Sequence, residues 1–274
     1  MYPYINIFGI TIPAYGLLLV VSSAAAWLLL VVLSKKKKRI DTEDASLAFL
    51  IGISGGIIGA VALRPLIKLV EIIIFREKYK MFSAGELLDY MVGEIVFYGG
   101  FLGGIIAVVL FCRKFKIEIV PLFDIGVPAL SLAHAIGRMG CFLGGCCYGI
   151  ELPYNHPFAV IYPSVSAAAP PGVPLLAVPV IEAGFLLILF AGLTLIYLKS
   201  DKAGLCSLIY LLIYPMGRFI LEFFRGDILR GRYGIFTTSQ FISAGIFIFG
   251  ICYFMFGKRK KSILKERSEG SGVI

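Results

Sequence analysis

The chain has 274 residues, of which 59% are hydrophobic and only 16% charged, with a mean hydropathy of +0.91 and a formal net charge of +9. Roughly a quarter of an average globular chain is charged, so this composition excludes a soluble fold. The basic excess does not indicate nucleic acid, because Lys and Arg follow the ends of apolar runs, and no nucleic-acid partner is expected.

Apolar runs approach the ~20 residues that cross ~30 Å of hydrocarbon. The expected fold is all-α, a polytopic membrane protein with spans at about 10–33, 46–63, 94–112, 122–147, 176–198, 205–224 and 235–257. The first span follows "MYPYINIFG", which lacks a basic n-region, so it is not read as a cleaved signal peptide. Tyr15 opens this span. Segment 64–93 mixes apolar and charged residues and is predicted to form one or two amphipathic helices on the outer membrane face. Tyr98 opens the third span. The Pro-rich loop 150–175 lacks Lys and Arg and is predicted to be irregular and exposed. Residues 1–257 are read as one integral-membrane domain, and 258–274 as a basic, disordered cytoplasmic tail.

Charge sets the expected orientation. Sixteen of the 26 Lys and Arg fall in loops 34–45, 113–121 and 199–204 and in the tail, against eight in the alternate loops. The positive-inside bias puts the N-terminus outside and the C-terminus in the cytoplasm. Glycines four apart, at Gly55/Gly59, Gly99/Gly103, Gly100/Gly104 and Gly140/Gly144, are spaced for close helix contact in a bilayer.

Polar groups at membrane depth are costly, about 3 kcal/mol or more for an Arg, and normally face a cavity or a partner. In the fourth span His134, Arg138 and Cys141 share one helical face. The following "FLGGCCYG" favours a helix break. In the sixth span Tyr214, Arg218, Glu222 and Arg225 form one stripe. Both spans exit outward, so Arg138, Arg218 and Arg225 are expected to converge near the outer leaflet. With Glu222 nearby and Glu182 in the fifth span as the other obvious acid, the cluster is read as retaining a positive excess. Guanidinium forks in a water-poor cavity suit a phosphate. An internal ion-pair network and an anion transporter or channel remain alternative readings of the same cluster.

The six cysteines contain no C-x-x-C, which supports neither a thioredoxin-like pair nor a Cys-rich zinc site, so no metal is expected. Cys112, Cys206 and Cys252 are read as packing residues. Cys141, Cys146 and Cys147 lie together, with a local disulfide as one option and a membrane thiol oxidoreductase as another.

Taken in order, these segments resemble the bacterial prolipoprotein diacylglyceryl transferase family, in its Cys-containing branch. "HAIGRMGCFLGGCCYG" is similar to the family's G-R-x-G-[NC]-F segment. "AYGLLL" resembles its first-span Tyr-Gly, "FYGGFLGG" its F-H-G-G-L-x-G-G, "VPVIEAG" its P-x-Q-L-Y-E-A, "GRFILEFFRGD" its G-R-F-x-x-E-x-x-R-x-D, and "SQFIS" its G-Q-x-x-S. The likeness covers roughly residues 10–250. It implies a multi-pass transferase of the bacterial plasma membrane with its active site on the outer side. Such an enzyme moves sn-1,2-diacylglyceryl from phosphatidylglycerol, a membrane lipid, to the lipobox cysteine of a prolipoprotein signal peptide, giving a thioether and glycerol phosphate. No metal or organic cofactor is implied.

The resemblance also implies roles. Arg138 and Arg218 hold the phosphate, Glu222 and Arg225 orient or supplement them, and Tyr15 contacts the lipid head group. Gly99, Gly100, Gly137, Gly140 and Gly149 shape the backbone, and Cys141 stands where the family commonly has Asn. The family's His in F-H-G-G is Tyr98 here, which leaves Tyr98 and His134 as the two candidates for the base. The P-x-Q-L-Y-E segment keeps Pro179, Glu182 and Ala183. A related transferase with another acceptor, and a non-enzymatic transporter of an anionic solute or lipid, are the rival functions. The absence of an evident inverted repeat weighs against the transporter.

Overall fold

The computed structural model describes residues 3–7, 9–79, 82–91, 96–227 and 232–270. Seven of the described helices are long and apolar enough to cross a membrane, which makes this a multi-pass helical membrane protein. The chain divides into two compact units, Ser34–Leu122 and a second formed by Met1–Leu33 with Phe123–Ile274.

The larger unit opens with an antiparallel hairpin, β1 (Tyr4–Ile7) and β2 (Ile10–Pro13), which runs directly into α1 (Ala14–Lys37). The first span therefore starts a few residues later than hydropathy alone predicts. Residues 34–37 at the end of α1, and 119–122 at the start of α6 (Ile119–Gly144), are counted with the smaller unit. Loop 145–177 contains a second hairpin, β3 (Ala159–Ile161) with β4 (Pro174–Leu176). Tyr162, Ala169 and Leu175 form a small buried cluster there, flanked by Tyr148, Val160 and Val173. The expectation of an irregular, exposed loop is corrected on this point. Apolar residues scattered among the prolines meet only once the hairpin closes.

Next come α7 (Val178–Lys199) and α8 (Leu205–Leu221), the latter extended by a 3-10 turn at Glu222–Phe224. Asp124, 1% exposed on α6, accepts hydrogen bonds from the backbone N–H groups of Gly204 (2.5 Å) and Ser207 (2.9 Å) and from the Ser207 hydroxyl (2.8 Å). It thereby satisfies the orphan donors at the start of α8 from a different helix. A short hairpin, β5 (Arg232–Tyr233) with β6 (Phe236–Thr237), leads into α9 (Thr238–Gly270). Thr237 and Gln240 form a reciprocal cap: the Thr237 N–H donates to Gln240 Oε1 at 2.9 Å, and the Gln240 N–H donates to Thr237 Oγ1 at 3.3 Å. α9 is helical through Lys258–Gly270, a basic segment that composition alone reads as disordered, and residues 271–274 lie outside the described residues.

In the smaller unit α2 (Thr42–Ile74) packs along α5 (Phe97–Phe115). The start of the third predicted span, at 94, lies outside the described residues. The contact is built on the glycine pairs. A Cβ at Gly59 would sit 2.9 Å from Gly103 Cα, and one at Gly100 would sit 3.2 Å from Gly56 O. Backbones this close gain dispersion contacts that compensate for the missing hydrophobic drive within lipid. Gly59→Val should thus cost about 1–3 kcal/mol from forced separation of α2 and α5. A thermal melt in detergent checks this, and a wild-type midpoint would contradict the packing.

α2 passes the expected end of its span at 63 and continues through Pro65 to Ile74, followed by α3 (Arg76–Tyr79) and α4 (Ala84–Met91). Part of the segment expected to lie on the membrane face is thus the end of a long helix. Its polar groups satisfy one another. Lys68 Nζ donates to Glu71 Oε2 (2.8 Å) and to Tyr90 Oη (2.7 Å), while Tyr79 and Tyr90 both donate to Glu71 Oε1 (2.7 and 2.9 Å).

Candidate active site

The centre of the site is a carboxylate, Glu182 on α7, 1% exposed. Val178 and Pro179 start that helix, and Pro at the first turn costs no hydrogen bond. One helical turn later Glu182 points into the larger unit. Arg138 Nη2 lies 2.9 Å from Glu182 Oε1, Arg218 Nη1 lies 3.9 Å from Oε2, and His134 Nε2 lies 3.9 Å from Oε1. The His134 ring meets Tyr214 edge-on at 5.4 Å, and Tyr214 stacks on Tyr210 at 5.3 Å. His134 and Arg138 from α6 thus meet Arg218 and Tyr214 from α8, and of the three arginines expected to converge Arg138 and Arg218 share Glu182.

A second carboxylate extends the network. Arg218 Nη2 pairs with Glu222 Oε2 at 2.7 Å, and Thr237 Oγ1 donates to Glu222 Oε1 at 3.0 Å. Arg225 Nε lies 4.0 Å from Glu222 Oε2. The fork of Arg225 is taken by Asp227, with Nε at 2.9 Å and Nη2 at 2.6 Å from its two oxygens. Arg225 therefore fixes the chain after α8. The backbone agrees: Gly149 bridges to Arg225, Ile150 N–H donates to Phe224 O (2.9 Å), and Gly226 N–H donates to Tyr148 O (3.1 Å). A Cβ on Gly149 would sit 2.7 Å from Leu176 O, so only glycine admits this three-way crossing.

The charge count corrects one expectation. Arg138, Arg218 and Arg225 face Glu182, Glu222 and Asp227, three cations against three anions. The cluster has no positive excess, because Glu182 serves two arginines and Asp227 closes on Arg225. What it retains is unused hydrogen-bonding capacity, in the oxygens Glu182 Oε1, Glu182 Oε2 and Glu222 Oε2 as well as in donors, among the described residues. Arg138 Nε and Arg218 Nη1 are buried without a hydrogen-bond partner among the described residues. Buried donors of this kind are costly unless something accepts from them.

Tyr15 on α1 lies against α6 opposite Gly140, where a Cβ would be 3.1 Å from its ring. Tyr98, Gly99 and Gly100 belong to α5 in the smaller unit. Gly99 and Gly100 face α2, with Leu63 Cβ only 2.6 Å from a Cβ built on Gly99, so helix packing accounts for them there. Tyr98 is exposed near the N-terminal end of α5. Asp227, Thr237 and Gln240 are further members of the site. Asp227 is the last residue of "GRFILEFFRGD", two places from its partner. Thr237 and Gln240 carry the signal of a capping box, T-x-x-Q, ahead of an apolar run.

α6 ends at Gly144, as the "FLGGCCYG" break predicts. Gly145 and Cys147 take positive φ values of 69° and 61°. Beyond this turn lie Cys146, Cys147 and Tyr162. Hydrogen bonds from Cys141 and Cys146, with the Arg225 guanidinium, pull the Cys147 thiol below its usual range against the effect of burial. Burial, with the nearby thiols adding to it, pushes the Tyr162 phenol up to about 12.

Comparison with known proteins follows the same segments. A family model described as prolipoprotein diacylglyceryl transferase matches residues 3–256. The chain is 35% identical over 212 residues to a protein of Clostridium tetani named phosphatidylglycerol–prolipoprotein diacylglyceryl transferase, covering 77% of this chain and 80% of that one. It is 40% identical over 167 residues to the Clostridium perfringens protein named as transferase 2 of that kind, covering 60% and 63%. A Dehalococcoides mccartyi relative with the same transferase name is 28% identical over 260 residues, covering 93% of both chains.

Proposed function

The chain belongs to the prolipoprotein diacylglyceryl transferase family, and from that premise we propose that it transfers sn-1,2-diacylglyceryl from phosphatidylglycerol to the lipobox cysteine of a prolipoprotein. The observation that carries this reading is the Arg138–Glu182–Arg218 cluster, inside helices long enough to cross a membrane, with Arg138 Nε and Arg218 Nη1 making no hydrogen bond among the described residues. A phosphodiester supplies the oxygens those donors lack.

In the reaction the acceptor sulfur forms a C–S bond to the terminal glyceryl carbon. The C–O bond to phosphate breaks, and glycerol phosphate leaves with the electron pair. Negative charge grows on the phosphate as it departs. Arg138 and Arg218 are positioned to stabilise it, held by Glu182 and Glu222 so that little reorganisation is needed. A neutral resting cluster suits this role, since it binds the lipid phosphate by directed donors rather than by bulk charge. The thiol, of pKa ~8.5, must also lose its proton. His134 is the proposed acceptor, because Glu182 stands 3.9 Å from its Nε2 and can steady the imidazolium that results. Tyr98 remains the alternative base, Tyr15 is assigned to the lipid head group, and Cys141 lines the same face one turn beyond Arg138. Arg225 acts by positioning the chain through Asp227.

The charge asymmetry of the loops supports an N-terminus outside, a cytoplasmic C-terminus and a site in the outer half of the bacterial plasma membrane. Replacing the resident transferase of a bacterial cell with this chain tests the proposal. Mass spectrometry should find diacylglyceryl on lipobox cysteines. Accumulation of unmodified prolipoprotein, with this chain present in the membrane, would reject it.

A further inference from the structure

The three cysteines around the end of α6 form a second constellation. The sulfurs of Cys141, Cys146 and Cys147 all lie within 4.8 Å of one another. A thiolate site with metal–sulfur bonds of ~2.3 Å and tetrahedral angles needs sulfurs about 3.8 Å apart. The observed trio needs only side-chain adjustment to reach that spacing. The trio lacks the C-x-x-C spacing of familiar thiolate metal sites. The fold achieves the same convergence differently, by turning the chain through positive φ at Gly145 and Cys147 so that C-x4-C-C closes on itself.

The turn is held from outside as well as within. Cys146 N–H donates to Cys141 O at 3.1 Å, and Ala167 and Ala169 N–H groups donate to Gly144 O and Gly145 O at 2.9 Å each. A left-handed conformation at Cys147, a residue with a Cβ, costs roughly 1–2 kcal/mol that packing of neutral thiols does not require.

Tyr162 supplies an independent observation. It is 1% exposed, and its phenol oxygen has no hydrogen-bond partner among the described residues. Its ring lies against the turn, 3.1 Å from where a Cβ on Gly145 would be, and the phenol lies within electrostatic reach of all three thiols. A neutral thiol is a weak acceptor, whereas a metal-bound thiolate is a strong one. The buried phenol acquires its missing acceptor once the sulfurs are ionised on a metal. Three thiolates on a divalent ion leave one negative charge, and Arg225 stands next to Cys147 to offset it.

We propose that Cys141, Cys146 and Cys147 bind one thiophilic metal ion, Zn2+ in the first instance, with the Tyr162 phenol donating to a bound sulfur and one coordination position left open. Soft thiolates select such ions over Mg2+ or Ca2+, and three protein ligands with an open position is an arrangement Zn2+ readily accepts.

The test uses the full chain in detergent, prepared under reductant without chelator and equilibrated with Zn2+. After gel filtration, elemental analysis should find about one Zn2+ per chain. Co2+ in its place should give sulfur-to-cobalt charge-transfer absorption. Cys141→Ser, Cys146→Ser and Cys147→Ser should each remove that absorption, and Cys206→Ser should keep it. Tyr162→Phe should keep the stoichiometry but weaken binding by about 10–100-fold. The proposal is overturned if the wild-type chain carries no metal while its three thiols titrate as free, if intact mass shows a disulfide among them under the same reducing preparation, or if a variant lacking all three retains the metal.

Discussion

Arg138→Ala should lower diacylglyceryl transfer at least about a hundredfold, the cost of losing a fixed donor that stabilises charge developing in the transition state. Arg138 reaches Glu182 with Nη2 and keeps Nε, its neighbour on the same edge of the guanidinium, without a hydrogen bond among the described residues. Its side chain therefore joins the acid that holds it to whatever accepts from Nε. Arg138→Lys should recover only part of the activity, because an ammonium is a point charge without that planar fork. The lysine variant also separates chemistry from folding, since it leaves a cation for Glu182. Cys206→Ala is the control. Cys206 is buried with its sulfur directed at Leu193 O, 3.7 Å away, at the opposite end of α8 from Arg218, and its variant should transfer at nearly the wild-type rate. Equal activity in the Arg138 and Cys206 alanine variants would refute the assignment of the site.

Glu182→Gln should be the most destabilising of the conservative changes in the site. It keeps the shape of the side chain and removes the charge that Arg138 and Arg218 share. Removing one partner of a buried ion pair leaves the others uncompensated and costs about 3–5 kcal/mol. For a chain of this size that corresponds to a fall in midpoint on the order of 10 °C. Thermal unfolding of the detergent-solubilised protein reads this directly. Arg225→Gln makes a useful comparison, because Asp227 is its main partner and is less deeply buried, so the fall should be smaller. A Glu182→Gln midpoint within a degree or two of wild type would mean that the three-helix network does not hold the unit together.

The apolar spans were readable because length and composition alone decide whether a helix can cross hydrocarbon. Their ends were less so. α2 runs on to Ile74 because Lys68, Glu71, Tyr79 and Tyr90 satisfy one another, a compensation that hydropathy cannot register. The glycines four apart marked a close helix contact, but spacing alone did not say that α2 and α5 are the partners. In the site, the single-helix stripes of His134, Arg138 and Cys141 and of Tyr214, Arg218 and Glu222 followed from helical periodicity. The charge balance did not, because Glu182 reaches both arginines from a third helix and Asp227 turns back on Arg225 outside helical geometry. The cysteines make the same point. Their spacing matched no familiar metal motif, and only the positive φ angles at Gly145 and Cys147 bring the sulfurs together.

The role proposed for the buried arginines is transfer of a lipid-derived group to a thiol. Incubating the purified chain with phosphatidylglycerol labelled in its acyl chains and a lipobox peptide tests it most directly. Label should be joined to the peptide cysteine through a thioether, with stoichiometric release of glycerol phosphate. No thioether product, in an assay in which the Clostridium tetani relative run as control gives one, would rule that role out.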